Sequence, residues 1–218
     1  MEENLNVDRL NLTSLLAINL SKGLTVLLLV FCAVVYGVDD FRQLLYFCLH
    51  GSYCLWWLLE QWFYPARRQI FNQAIELPGF VLTLLFVGAF YTLPGYLAFA
   101  NPTPLPFSTA AIALLLYIFG SLINTSADIQ KLTAKQQGAE LVSDGLWRFS
   151  RHINYFGDWL RYLSFSVLAG SVWAYLVPGT ILMLYLQMIA EKERTMPEKY
   201  SGYADYQSRS ARFIPFVW

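Results

Sequence analysis

Four stretches of about twenty mainly apolar residues, followed by a fifth of about thirty, restrict this chain to folds that cross a lipid bilayer. In hydrocarbon every backbone N–H and C=O must be paired inside the protein, so apolar runs of this length become helices. The first run covers Leu15–Tyr36, with Asn19 and Lys22 near its start. The second, Leu44–Tyr64, stops at Pro65 and the pair Arg67–Arg68. The third, Leu77–Phe99, begins on Pro78 and carries Pro94–Gly95 near its exit. Pro102, Pro104 and Pro106 then make a loop without charges, and Leu105–Ile123 is the fourth. The fifth run, Trp159–Ala190, is too long for one span of a core about 30 Å thick. Pro178–Gly179 interrupts it, which predicts a hairpin of two short spans.

Composition agrees. Hydrophobic residues make up 56% of the chain and charged residues 14%, where soluble domains carry about 45–50% and about 25%. Net charge is zero, which argues neither for nucleic acid nor for a strongly charged partner, so no nucleic-acid partner is expected and only the placement of charge is informative. Cys32, Cys48 and Cys54 all lie in apolar stretches, with neither a CxxC nor nearby histidines. They read as small buried hydrophobes, and the sequence implies no disulfide framework and no metal site. The acidic start, Met1-Glu2-Glu3, lacks the basic region of a cleavable signal peptide.

The expected fold is therefore all-α: a polytopic integral membrane protein of about six transmembrane helices. Six spans put the N-terminus, the 65–76 loop, the 124–158 loop and the tail after residue 190 on one side. Of fifteen Lys and Arg, Arg42 is the one that clearly falls on the other side. The positive-inside rule then makes both termini cytoplasmic. A five-span count would place Lys192, Arg194, Lys199, Arg209 and Arg212 outside, against that rule.

Polar residues concentrate in the 124–158 loop. Lys131 and Lys135 stand four apart, on one face of a helix leaving the fourth span; they suit either a diphosphate clamp or ordinary juxtamembrane charge. Arg151, His152, Asn154, Tyr155 and Asp158 crowd the point where the chain re-enters the membrane. Desolvating such groups is costly unless they are paired or bind something. The alternative is a hydrogen-bonded helix start with Asn154 or Asp158 near an N-cap.

These residues also carry a family likeness. The run Ala127-Asp128-Ile129-Gln130-Lys131 with Lys135, then Gly145-x-Trp147, then Arg151-His152-x-Asn154-Tyr155-x-Gly157-Asp158, resembles the C-terminal half of membrane sterol reductases. The tail Glu198-Lys199-Tyr200…Tyr203…Tyr206…Arg212-Phe213-Ile214-Pro215 is similar to their closing motif. The likeness extends to steroid 5-alpha-reductases and is closest for bacterial members of that superfamily. It implies an NADPH pocket facing the cytoplasm, with residues 124–218 as the cofactor-binding region and 1–123 as helices on the substrate side. It implies Lys131, Lys135 and Arg151 for phosphates, and Trp147, His152, Asn154, Tyr155 and Asp158 for the rest of the cofactor. Tyr206 and Arg212 would close the site, and Arg194 lies near a further basic family position. With neither GxGxxG nor a βαβ pattern, this would be cofactor binding without a Rossmann fold.

The chain departs from the family in places. Ile153 replaces the usual proline, which removes a φ constraint, and Lys135 stands where arginine is common, which loses a bidentate fork. In the first half, Glu60–Gln61 beside Trp56, Trp57, Trp62 and Tyr64 resembles the acid–amide pair with which 5-alpha-reductases hold a substrate carbonyl, in reversed order. The other reading of that pair is an interfacial one, reaching toward Arg67–Arg68. His50 and Tyr91 are further polar residues in spans.

Three functions follow as expectations. One is a membrane-embedded NADPH-dependent reductase of a lipophilic steroid-, sterol- or isoprenoid-like enone or alkene, with Tyr155, Glu60 or Tyr91 as the acid. The second is an S-adenosylmethionine-dependent methyltransferase of lipid or prenylcysteine substrates, which Glu191 and Glu193 around Lys192 keep open. The third is a membrane scaffold that binds neither cofactor. In each case the lipid bilayer is a partner, with a bacterial inner membrane the expected location.

Overall fold

The computed structural model describes residues 11–218, and the acidic N-terminus read for a signal peptide lies outside them. Among the described residues the α-helices are α1 (Ser14–Tyr36), α2 (Phe41–Phe63), α3 (Pro65–Phe71), α4 (Leu77–Thr83), α5 (Leu93–Ala100), α6 (Phe107–Gln136), α7 (Ile153–Ala169), α8 (Leu176–Lys199) and α9 (Tyr203–Arg209). The fold is all-helical and polytopic. Four helical stretches are long and apolar enough to cross a membrane: Ser14–Tyr36, Leu77–Ala100, Phe107–Gln136 and Val172–Lys199. Their outward side chains are apolar, with Leu27 68%, Leu82 66% and Leu115 55% exposed, as lipid rather than water requires.

The chain divides into two compact units. One comprises the described part of Met1–Phe31 with Gly51–Thr92; the other comprises Cys32–His50 with Leu93–Trp218.

In the first unit, the helix that begins as α4 widens into a π-helical stretch at Leu84–Ala89 and tightens into a 3-10 turn at Phe90–Thr92. Such a stretch leaves carbonyls poorly served by the ladder. Thr92 Oγ1 donates to the Gly88 carbonyl at 2.7 Å, and Thr25 Oγ1 on α1 donates to it at 3.3 Å. A Cβ on Gly88 would come within 2.9 Å of Leu24 Cδ2, so the close approach of α1 depends on the glycine.

In the second unit, α6 and α7 cross at two facing glycines. A Cβ on Gly120 would lie 2.7 Å from the Gly157 carbonyl oxygen, and one on Gly157 would lie 2.6 Å from the Asn124 nitrogen. This crossing fixes the start of α7 against the polar end of α6. At 30 residues α6 is about 45 Å long, so its last turns project beyond a core about 30 Å thick. The polar stretch after Ile123 is thus helical as far as Gln136, and its face carries Asp128, Lys131 and Lys135.

The C-terminal hairpin turns earlier than its proline suggests. The break falls at Gly170, in the left-handed region at φ 65°, followed by a 3-10 turn over Val172–Tyr175. Pro178 and Gly179 sit in the first turn of α8, where a missing N–H costs nothing. Arg42 explains the position of the break: its guanidinium donates to the Leu168 and Thr103 carbonyls, and Asn101 Nδ2 donates to Ala169 O at 3.0 Å. A cation on the last carbonyls of α7 terminates it, and a Cβ at Gly170 would stand 2.5 Å from Arg42 Nη1. Of the cysteines, Cys32 and Cys54 are buried, whereas Cys48 is exposed rather than buried as expected.

Candidate functional site

A cleft opens in the second unit, between the projecting end of α6, the 137–152 loop, the end of α8 and α9. Its floor is a buried cluster of Ala127, Val142, Trp147, Ile153, Tyr203 and Tyr206. Trp147 is fixed by its Nε1, which donates to Ala127 O at 3.0 Å, and Tyr206 donates to Trp147 O at 2.6 Å.

The cleft wall is basic and aromatic. Lys131 Nζ lies 4.9 Å above the Trp147 ring, and Lys135 Nζ 4.9 Å above the Tyr200 ring. Lys135 also donates to the Glu140 carbonyl. Lys192 on α8 joins these two lysines in the lining, and Glu140 is the one acid among the described lining residues. For Tyr200, burial pushes the phenol up, but the hydrogen bond and charge of Lys135 outweigh it and leave the pKa below its ordinary value. Burial pushes Tyr203 and Tyr206 well above theirs.

Behind the lining, Glu193 accepts from five directions. Arg151 Nε and Nη2 donate at 3.0 and 3.1 Å, His152 Nε2 at 2.9 Å, Tyr203 Oη at 2.9 Å and Gln207 Nε2 at 2.9 Å. Arg151 Nη1 reaches the Gln207 and Ser210 carbonyls at 3.1 and 2.5 Å. Burial lowers the His152 pKa against the pull of Glu193, so the ring is neutral and Nε2 carries its proton. Arg151 and His152 border the cleft, yet their polar atoms are engaged chiefly in tying α7, α8 and α9 together.

Asn154 lies in the first turn of α7, and its Nδ2 donates to Asp128 Oδ1 at 2.9 Å. The N-cap is His152, without a side-chain cap bond, rather than Asn154 or Asp158. Asp158 is one turn deeper and buried; Arg161 and Tyr185 both donate to it. Tyr155 stacks on Tyr185 with ring centroids 4.6 Å apart, and Lys192 Nζ donates to its hydroxyl at 2.5 Å.

The structure therefore gathers Lys131, Lys135, Trp147, Arg151, His152, Asn154 and Tyr206 around one cleft. Tyr155 and Asp158 sit beside it. Arg194 is exposed and pairs with Glu191 at 2.8 Å, and Arg212 lies over the Trp218 ring at 5.4 Å; neither lines the cleft. Lys192 and Met196 line it without having been expected in the site, although their spacing of four, continued by Tyr200 of the closing motif, marks one face at the end of α8.

Glu60 and Tyr91 belong to the first unit. Glu60 is buried and pairs with Arg67 Nε at 3.1 Å. Gln61 exchanges hydrogen bonds with Asn19, whose Oδ1 also takes the Trp57 indole at 2.8 Å. Glu60 thus reaches toward the basic Arg67–Arg68 side, whereas Gln61 turns to Asn19. Tyr91 packs edge-on against Phe86 at 5.0 Å.

A polytopic helical membrane protein with a basic, aromatic-walled cleft at the end of its longest helices is the class that fold and site define. The profile of a family described as a protein of unknown function (DUF1295) matches residues 21–211, and the chain belongs to that family. It is 25% identical over 191 residues to a Delta(14)-sterol reductase of Arabidopsis thaliana, covering 78% of this chain and 52% of that protein. It is 27% identical over 165 residues to the Delta(14)-sterol reductase TM7SF2 of Mus musculus, covering 64% of this chain and 39% of that protein. The likeness to the sterol reductase superfamily, read first from the motifs, holds. The chain spans about half or less of the length of these relatives.

Proposed function

We propose that this protein is a membrane reductase that uses NADPH to reduce an enone or alkene in a lipophilic, sterol-like or isoprenoid molecule. The observation that carries the reading is the pair Lys131 and Lys135, set over the Trp147 and Tyr200 rings in a cleft whose described lining holds a single acid. Cations in a partly desolvated site favour a polyphosphate, and the rings offer stacking faces for its bases.

In this reading Lys131 and Lys135 hold phosphates, Trp147 and Tyr200 flank a ring, and Asn154, oriented by Asp128, sets the polar edge of the nicotinamide. The bound cofactor supplies a hydride. Tyr155 supplies the proton. Lipid-facing helices bring the substrate laterally from the bilayer, and the basic cleft faces the cytoplasm, a placement that the distribution of Lys and Arg supports.

The methyltransferase reading drew on Glu191 and Glu193. Both are taken within the chain, Glu191 by Arg194 and Glu193 by Arg151, His152, Tyr203 and Gln207. That closes Glu193 to S-adenosylmethionine, while Glu191 is exposed and does not line the cleft, which favours the reductase. The test is a titration of the purified protein with NADPH and with S-adenosylmethionine, repeated on Asn154→Asp. NADPH should bind saturably and S-adenosylmethionine should not. Asn154→Asp, which sets a second carboxylate against Asp128, should weaken NADPH at least about tenfold. Binding of S-adenosylmethionine alone overturns the reading.

A further inference from the structure

Tyr155 occupies an unusual place in the second unit. It stands on the first turn of α7, half-buried, between two residues of α8 that are seven apart and so on one face: Tyr185 and Lys192. The Tyr185 ring lies parallel to it, 11° off, and is anchored through its own hydroxyl to Asp158. Lys192 Nζ donates to the Tyr155 oxygen at 2.5 Å and lies 4.7 Å from its ring centre. Among the described residues the phenol makes no second hydrogen bond. An oxygen that accepts from an ammonium has its one proton turned away from that ammonium, free to be given elsewhere. Three neighbours of this phenol, His152, Asn154 and Lys192, line the cleft and place it at the cleft's edge.

We propose that Lys192 is a positioning residue that holds the Tyr155 hydroxyl as the proton donor of the site and refills it after each transfer. The inference rests on the reductase reading and deepens it. For reduction of a carbon–carbon double bond, one carbon takes the hydride and the other takes the Tyr155 proton. The phenolate is reprotonated by the Lys192 ammonium, and the amine recovers its proton from solvent. Two electrons and two hydrogens reach the alkene, and the cofactor ends oxidised. A cation within hydrogen-bond distance stabilises the phenolate that forms, which a neutral neighbour cannot do. The other charged and titratable groups around the pair are Asp128 and Lys131 on α6, Tyr185 and Asp158 behind the stack, and His152, whose ring centroid is 5.9 Å from that of Tyr155.

The test reads the pair directly, without substrate. With 3,5-difluorotyrosine at position 155, whose free phenol ionises near neutral pH, fluorine NMR follows ionisation of that one side chain. Lys192→Met should raise the midpoint by about one to two pH units, and Lys192→Arg should restore most of the difference. Lys192→Gln serves by the same criterion should the methionine variant not fold. An unmoved midpoint in the neutral variants overturns the proposal. In parallel, NADPH affinity of the Lys192→Met protein should stay within about threefold of the parent. A tenfold or greater loss with an unmoved midpoint identifies Lys192 as a phosphate ligand, against the proposal. Failure of the parent protein to bind NADPH removes the reductase reading, while the midpoint shift still reports on the Lys192–Tyr155 contact.

Discussion

Arg151 and Glu193 meet through two parallel hydrogen bonds, Nε to Oε1 at 3.0 Å and Nη2 to Oε2 at 3.1 Å, with both side chains about nine-tenths buried. The pair joins the start of α7 to α8, and His152, Tyr203 and Gln207 complete the acceptor capacity of the carboxylate. Removing one member of a buried pair leaves the other charge uncompensated and costs about 3–5 kcal/mol. Glu193→Ala should therefore lower the unfolding midpoint in detergent far more than Glu191→Ala, whose partner Arg194 is exposed. Equal midpoints for the two variants contradict the assignment.

Gly157 is the second mechanical requirement. A methyl group there meets the Asn124 nitrogen at 2.6 Å and the Gly120 carbonyl oxygen at 2.8 Å, and neither is a flexible side-chain end. Gly157→Ala must push α7 from α6, a cost of about 1–3 kcal/mol. It also draws Asn154 from Asp128, so NADPH affinity should fall along with the melting temperature. Gly179→Ala, where a Cβ meets nothing within 4 Å, is the control and should leave both unchanged.

The pH dependence of stability should carry the mark of His152. Burial depresses its folded pKa below the unfolded value of about 6.5, so on acidification the unfolded chain takes up the proton first. Stability from this residue is complete above about pH 6.5 and declines as pH falls toward the folded pKa, by at most about 1.4 kcal/mol per unit. His152→Gln keeps an N–H donor for Glu193 and should flatten the melting temperature between about pH 5 and 6.5. A slope identical to the parent's would contradict the neutral assignment.

Lys131 and Lys135 should act on binding rather than on folding. Each replaced by methionine should weaken NADPH about tenfold, within the range of one charge-assisted hydrogen bond, and should reduce the salt dependence of binding. Titrations at two ionic strengths give both quantities. Unchanged affinity in both variants would move the phosphates elsewhere.

Much of this arrangement is legible in the sequence. The apolar windows locate the helices, and the blocks around Lys131, Trp147 and Asn154 fall around one cleft because each marks an element that borders it. What escapes are properties of approach between distant residues. Pro178–Gly179 looks like the turn of the hairpin, but Arg42, on a different helix, ends α7 at Gly170. Arg151 reads as a phosphate ligand, yet its fork is matched by Glu193, 42 residues away. Lys192 carries only its four-residue spacing to Met196 and Tyr200 as a local signal, because its significance is the 2.5 Å contact with Tyr155 across two helices.

The most direct measurement is an experimental structure of the protein solved in saturating NADPH. Density for the dinucleotide should lie in the cleft, with phosphates at Lys131 and Lys135, a ring against Trp147 or Tyr200 and the nicotinamide edge toward Asn154. Density at another site, or an empty cleft under those conditions, would contradict the account.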